Sequence, residues 1–193
     1  SNSSLYGKEL TSGFMDVIAQ QFSMESSASY AKIKDYEYDK AESIINNIWS
    51  QMYTTIANVN NILENIDDKR GILQPAVYQI IKGEALGLRA FHYFDLLRLY
   101  GPVYSEDPEM KCLPWRTEFN ADQKSLEPAS VIAQHILEDL TQAEELLKDD
   151  PLNYKNDLDD PFLGLRKHRM NKMAVKALMA RVYLWIGDKE NAA

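Results

Sequence analysis

The chain has 193 residues, 45% of them apolar, which is long and apolar enough for one domain with a real core or for part of a larger one. A formal net charge of −8, from 29 acidic and 21 basic residues with no basic run, argues against a nucleic-acid backbone as partner. Nothing approaches 18 consecutive apolar residues, so no membrane-spanning helix is expected, and the single Cys112 excludes an intrachain disulfide framework.

The opening Ser1 to Ser4, with no methionine and no apolar signal segment, reads as an expression or processing scar. Leu10, Phe14, Val17, Ile18 and Phe22 then recur at helical spacing and predict a helix over residues 8–22. A polar, tyrosine-bearing connection follows from Tyr30 to Asp39. From about Lys40 to Ile66 the residues Ile44, Ile48, Met52, Thr55, Val59, Ile62 and Ile66 recur every three or four positions. Ile45, Trp49, Ile56 and Leu63 add a second line, so one very long helix is expected, closed by Lys69, Arg70 and Gly71.

Residues 76–101, AVYQIIKGEALGLRAFHYFDLLRLYG, form the stretch around which the rest is organised. Their apolar side chains fall on nearly every face, so this helix needs neighbours on several sides. Gly101-Pro102 stops it. Between Pro102 and Glu127, prolines at 102, 108 and 114 and the lack of any helical period predict an irregular loop of more than twenty residues. Pro128 suits the first turn of the next helix, whose face carries Ile132, Ile136, Leu140, Ala143 and Leu147. Residues 149–167 make a second long loop, rich in Asp and Asn. Asn171 is placed to cap a last full helix ending at Gly187, and Glu190 to Ala193 resemble the start of one more.

No strand pattern of useful length is present, so the expected fold class is all-α. Ala85-Leu86-Gly87-Leu88-Arg89-Ala90-Phe91 and Ala177-Leu178-Met179-Ala180-Arg181-Val182-Tyr183 share an Ala-Leu-x-x-Arg-x-aromatic form. Each lies in the second member of an expected antiparallel pair, about 40–100 and 128–187. That is the logic of an irregular tetratricopeptide-like stack.

Candidate chemistry is sparse. His92, His135 and His168 are far apart, there is no metal-binding HExxH, and one cysteine cannot build a thiolate site. There is no glycine-rich phosphate loop and no nucleophile elbow. No catalytic residue, cofactor or metal site is assigned. The acidic segment 149–160 raises calcium as a question, but lacks the ligand order of an EF-hand and is read as a solvated loop. Glu84, Arg89 and Arg181 are charges on apolar helices and are assigned bracing roles across helices. Trp115, Phe119, Tyr104 and Tyr154 fall in long loops, where an aromatic ring can serve as a platform for a sugar.

The run Gly83 to Val103 resembles the signature of the SusD/RagB family. So do the upstream helix with Trp49, Tyr53, Ile56, Asn58, Asn61 and Ile62, the segment VIAQHILEDLTQAEELL, and the stretch from Asn171 to Ala193. Four pieces in the expected order cover about Tyr38 to Ala193. The resemblance implies a SusD-like, tetratricopeptide-like helical fold and no catalysis. It implies an outward-facing outer-membrane lipoprotein of Bacteroidetes-type bacteria that partners a SusC-like TonB-dependent transporter and holds an oligosaccharide or other nutrient. Glu84, Arg89, Tyr93 and Gly101 match its signature, and Ala177, Ala180 and Arg181 the second helix-pair signature, all in structural roles. On this reading residues 1–193 are the N-terminal part of such a domain, cut before its C-terminal part, and the lipid anchor lies outside the sequence. A helical-repeat adaptor that binds only protein is the alternative.

Overall fold

Pro75 opens the central helix, where its fixed φ and missing N–H cost nothing, and Gly101 closes it, giving α4 (Pro75–Tyr100) in a computed structural model of the chain. The structure describes residues 3–21, 23, 25, 30–152, 162 and 166–193. Before α4 come α1 (Phe14–Ile18), α2 (Ala31–Lys34) and α3 (Glu42–Ile66). After it come β1 (Lys111–Pro114), β2 (Leu126–Pro128), α5 (Ala129–Leu146) and α6 (Lys172–Ile186), with short 3-10 turns between some of them. Among the described residues the fold is all-α but for one small sheet. By internal packing the chain divides into Ser1–Thr55 and Ile56–Ala193.

In the first unit, the helix expected over 8–22 is confined to α1 as far as Gln21, and Phe22 lies outside the described residues. The chain from Ser3 to Ser12 closes on itself through turn bonds such as Leu10 N to Leu5 O and Glu9 N to Ser3 O. Gly13 takes φ −104°, ψ −110°, off the helical path, and Gln20 takes a left-handed φ of 55° just beyond α1. The Glu9 carboxylate caps the break, accepting from Phe14 N at 3.2 Å and from the Tyr30 hydroxyl at 2.7 Å. Leu5, Phe14, Val17, Ala31 and Ile33 are buried.

In the second unit, α4 packs along α5, and α6 packs on α5 and touches α4. On α4 the buried residues Ile80, Leu86, Ala90, Tyr93, Phe94 and Leu97 point in several directions. On α5 they form one stripe: Ile132, Ala133, Ile136, Leu140 and Ala143. Each large aliphatic or aromatic side chain among them contributes roughly 1.5–3 kcal/mol when fully buried. The last turns of α3 join this unit through Asn60, whose side chain meets Arg89 of α4 at 3.1 Å.

Asn171 caps α6, its Oδ1 accepting from Met173 N at 2.9 Å and Ala174 N at 3.0 Å. Gly187 ends α6 in the left-handed region, φ 87°, which only glycine enters freely. Beyond it residues 189–192 lie in turns, with Asn191 N donating to Asp188 Oδ1 at 3.1 Å.

The segment after α4 also departs from expectation. It holds an antiparallel ladder, Lys111 opposite Pro128, Leu113 opposite Glu127 and Pro114 opposite Leu126, with an irregularity at Cys112. Strands of four and three residues are too short to show a period, and Leu113 alone in β1 is buried.

Candidate functional site

The charge at Arg89 determines how the loop after α4 is held. Its side chain is 9% exposed and donates Nε to Asp139 Oδ2 and Nη2 to Asp139 Oδ1, both at 2.7 Å. Nη1 donates to Asn60 Oδ1, and Asn60 Nδ2 passes the contact on to the Arg116 carbonyl at 3.0 Å. Tyr93 completes the anchor: its hydroxyl accepts from Arg116 N at 2.7 Å. Burial pushes the Tyr93 hydroxyl far above its ordinary pKa. Burial also raises the Asp139 carboxyl, an effect opposed by the Arg89 hydrogen bonds and charge. Groups from α3, α4 and α5 thus hold one backbone position at the exit of β1.

Trp115 enters the same cluster. Its indole lies against Tyr93, centroids 4.0 Å apart, and stacks on His135 at 4.9 Å with planes 21° apart. The Arg89 guanidinium stands 5.7 Å from its ring. His135 lies 3.2 Å from Glu138 and 3.3 Å from Glu127. The Trp115 ring is therefore engaged by the protein itself.

Phe119 is different. Arg116 curls the loop by donating to the carbonyls of Asn120 and Asp122, and Glu64 accepts from Phe119 N at 2.7 Å. The backbone is stitched down while the Phe119 ring stays 52% exposed.

Tyr104 lies elsewhere in the unit. It packs on Trp185 of α6 at 5.0 Å, and Trp185 meets Phe94 edge-on at 6.0 Å. Beside Tyr104 opens a cleft of about 590 Å³. The polar side of α5 lines it through Gln134, Glu138, Thr141 and Gln142, residues spaced to share one helix face. Gln134 donates to Glu138 at 2.9 Å, and this bond and that of His135 hold the Glu138 carboxyl below the usual range. Burial and the charge of Glu109 raise the Tyr104 hydroxyl above its ordinary pKa. An aromatic body beside amides, a hydroxyl and a carboxylate can seat a sugar ring and bond its hydroxyls.

Tyr154 and most of segment 149–160, with its calcium question, lie outside the described residues. Among the described residues no group of three or more His, Cys, Asp or Glu could hold a metal. Glu84 pairs with Arg166 and lies 3.8 Å from Arg169. Arg181 is exposed, with its guanidinium 5.6 Å from the centre of the Phe94 ring. At Gly101 an added Cβ would collide with the Leu97 carbonyl oxygen. His92 is buried, and burial lowers its pKa to about 4.

Sequence reasoning missed Asp139, Asn60 and the pair Arg166–Asp150. Arg166 donates Nε and Nη2 to Asp150 at 2.8 Å each, and the two side chains are 1% and 0% exposed. Asp139 on an otherwise apolar α5 stripe was a legible signal of a buried partner. Arg166 and Asp150, set in long polar loops, gave none.

A family model of the SusD-like type, described as "Starch-binding associating with outer membrane", matches residues 3–184. None of the curated proteins matches the chain. Among solved structures, a SusD superfamily protein of Bacteroides thetaiotaomicron is similar at 25% identity and TM-score 0.62, over 76% of this chain and 30% of that one. A SusD-like carbohydrate binding protein of Bacteroides vulgatus is similar at 24% identity and TM-score 0.75, over 100% and 39%. A laminarin binding SusD-like protein is similar at 21% identity and TM-score 0.60, over 87% and 32%. The chain spans less than two fifths of the length of each.

Proposed function

This chain belongs to the SusD-like family, starch-binding and associating with the outer membrane, and on that premise we propose that it binds glycan without transforming it, within an outer-membrane uptake complex. Its partner in this reading is a SusC-like TonB-dependent transporter, and its setting the outward face of the outer membrane on a lipid anchor. The oligosaccharide is held, oriented and passed on; no bond in it is broken.

The observation that carries the reading is the cleft beside Tyr104. A sugar presents an apolar C–H face and a ring of hydroxyls. Tyr104, backed by Trp185, supplies an aromatic surface, and Gln134, Glu138, Thr141 and Gln142 supply donors and acceptors at its edge. The name of the laminarin binding relative supports glycan as the ligand class. Phe119, exposed on its anchored loop, is a second platform on the same unit.

The test is calorimetric titration of the protein with α-1,4-glucan and β-1,3-glucan oligomers. Binding of one class at micromolar to millimolar strength, weakened at least tenfold by Tyr104→Ala, is expected. Silence across both classes would overturn the reading.

A further inference from the structure

Resting on the glycan reading above, we infer that the binding surface continues past Tyr104 into a second cleft that recognises an acidic sugar, so that the ligand is an extended oligosaccharide carrying a carboxylate. The second cleft, about 610 Å³, opens between the start of α4 and the end of α5. Thr141 and Gln142 line both clefts, so the two adjoin across one ridge of α5. Each volume is that of a small-ligand site, and together they exceed what a single sugar needs.

The chemistry of the second cleft differs from the first. Its wall carries Pro75 and Leu146 beside the largely buried Tyr78, an apolar surface for the C–H face of a ring. Two amides line it, Gln79 and Gln142, and neither side chain makes a hydrogen bond among the described residues. These are ready donors and acceptors for sugar hydroxyls.

The charges are unequal. Lys82 is committed to Asp67, at 2.6 and 2.9 Å, and Glu145 to Lys148 at 2.6 Å. Arg70 stands over the Tyr78 ring, 5.2 Å from its centre, with no carboxylate at ion-pair distance among the described residues. Its charge already lowers the Asp67 carboxyl, after the larger effects of the Lys82 and Tyr78 hydrogen bonds. In a chain of net charge −8 this is a local cationic surplus beside a largely apolar cleft. A planar guanidinium held over an aromatic ring suits a carboxylate, which it meets with two parallel N–H bonds.

The experiment is titration of the whole protein with α-1,4-linked galacturonic acid oligomers and with neutral α-1,4-glucan oligomers of equal length. The inference expects the acidic oligomer to bind more tightly than the neutral one, and to weaken about tenfold in Arg70→Gln and again at high salt. The same substitution weakens the neutral oligomer far less than the acidic one. Tyr104→Ala weakens both. Because Arg70 is exposed, Arg70→Gln melts as the parent does, which separates binding from folding. Binding of the neutral oligomer alone, or acidic binding indifferent to Arg70, overturns the acidic-sugar inference and leaves the glycan reading standing. Failure of both oligomers overturns the acidic-sugar inference, and joined to silence toward β-1,3-glucan it overturns the glycan reading as well.

Discussion

Asp139 on α5 takes Arg89 of α4 side-on, one carboxylate oxygen for Nε and the other for Nη2, each at 2.7 Å and fifty residues away in the chain. A bidentate pair this buried is strong only while complete; removing one partner leaves a charge in an apolar setting. It also sets Asn60 and, through it, the backbone at Arg116.

Arg89→Ala is therefore expected to destabilise the protein by roughly 2–4 kcal/mol, and Asp139→Ala by a similar amount. The double change Arg89→Met with Asp139→Leu restores most of the loss, because no charge is then left buried. Denaturant midpoints of the three variants check this. A single substitution without a shift contradicts it.

His92 makes stability depend on pH. In the fold its pKa falls from 6.5 to about 4 because burial penalises the imidazolium. As pH drops through 6.5 the unfolded chain gains a proton and the folded chain does not. The contribution is whole above pH 6.5 and is lost progressively down to about pH 4, amounting to about 3 kcal/mol. Denaturation of the parent and of His92→Gln at pH 7.5 and 4.5 measures it. The variant is expected to lose less stability between the two.

Trp115→Ala removes a ring that touches Tyr93 and stacks on His135. A loss of roughly 1–3 kcal/mol is expected, less than for a fully buried aromatic because Trp115 is half-buried. Glucan affinity at Tyr104, which has different neighbours, should hold at temperatures where the variant stays folded. A stable variant with lost affinity would instead make Trp115 a ligand platform.

At Gly101 the helix ends with its N–H bonded to the Leu97 carbonyl at 2.9 Å, and a Cβ there has no room. Gly101→Ala should cost about 1–3 kcal/mol through forced backbone movement. Gly71→Ala, where nothing lies within 4 Å of the added carbon, is the matched control and should be near neutral. Thermal melts of both decide it.

The long helices were legible because their causes are local. The all-round apolar run of α4, the Gly101-Pro102 stop, the stripe of α5 and the Asn171 cap all reside in a few adjacent residues. What escaped depends on distant partners or on short elements. The β1–β2 ladder is built from two short runs whose prolines, Pro114 and Pro128, read as a loop and a helix start. α1 shrank because Gly13 and the Glu9 cap outweighed a helical period. At the candidate site, Tyr104 and Phe119 could be picked as loop aromatics. Their settings could not, since Trp185 and Glu64 lie more than fifty residues from them in sequence. Trp115 looked the same as Phe119 by sequence, yet the Arg89 network draws it inward.

The most direct measurement of the central claim is an amide and indole proton–nitrogen correlation spectrum of the labelled protein during titration with α-1,4- or β-1,3-glucan oligomers. The account predicts that the Trp185 indole signal, beside Tyr104, shifts progressively with glycan while the Trp115 indole stays in place. An unmoved Trp185 signal under saturating glycan would contradict it.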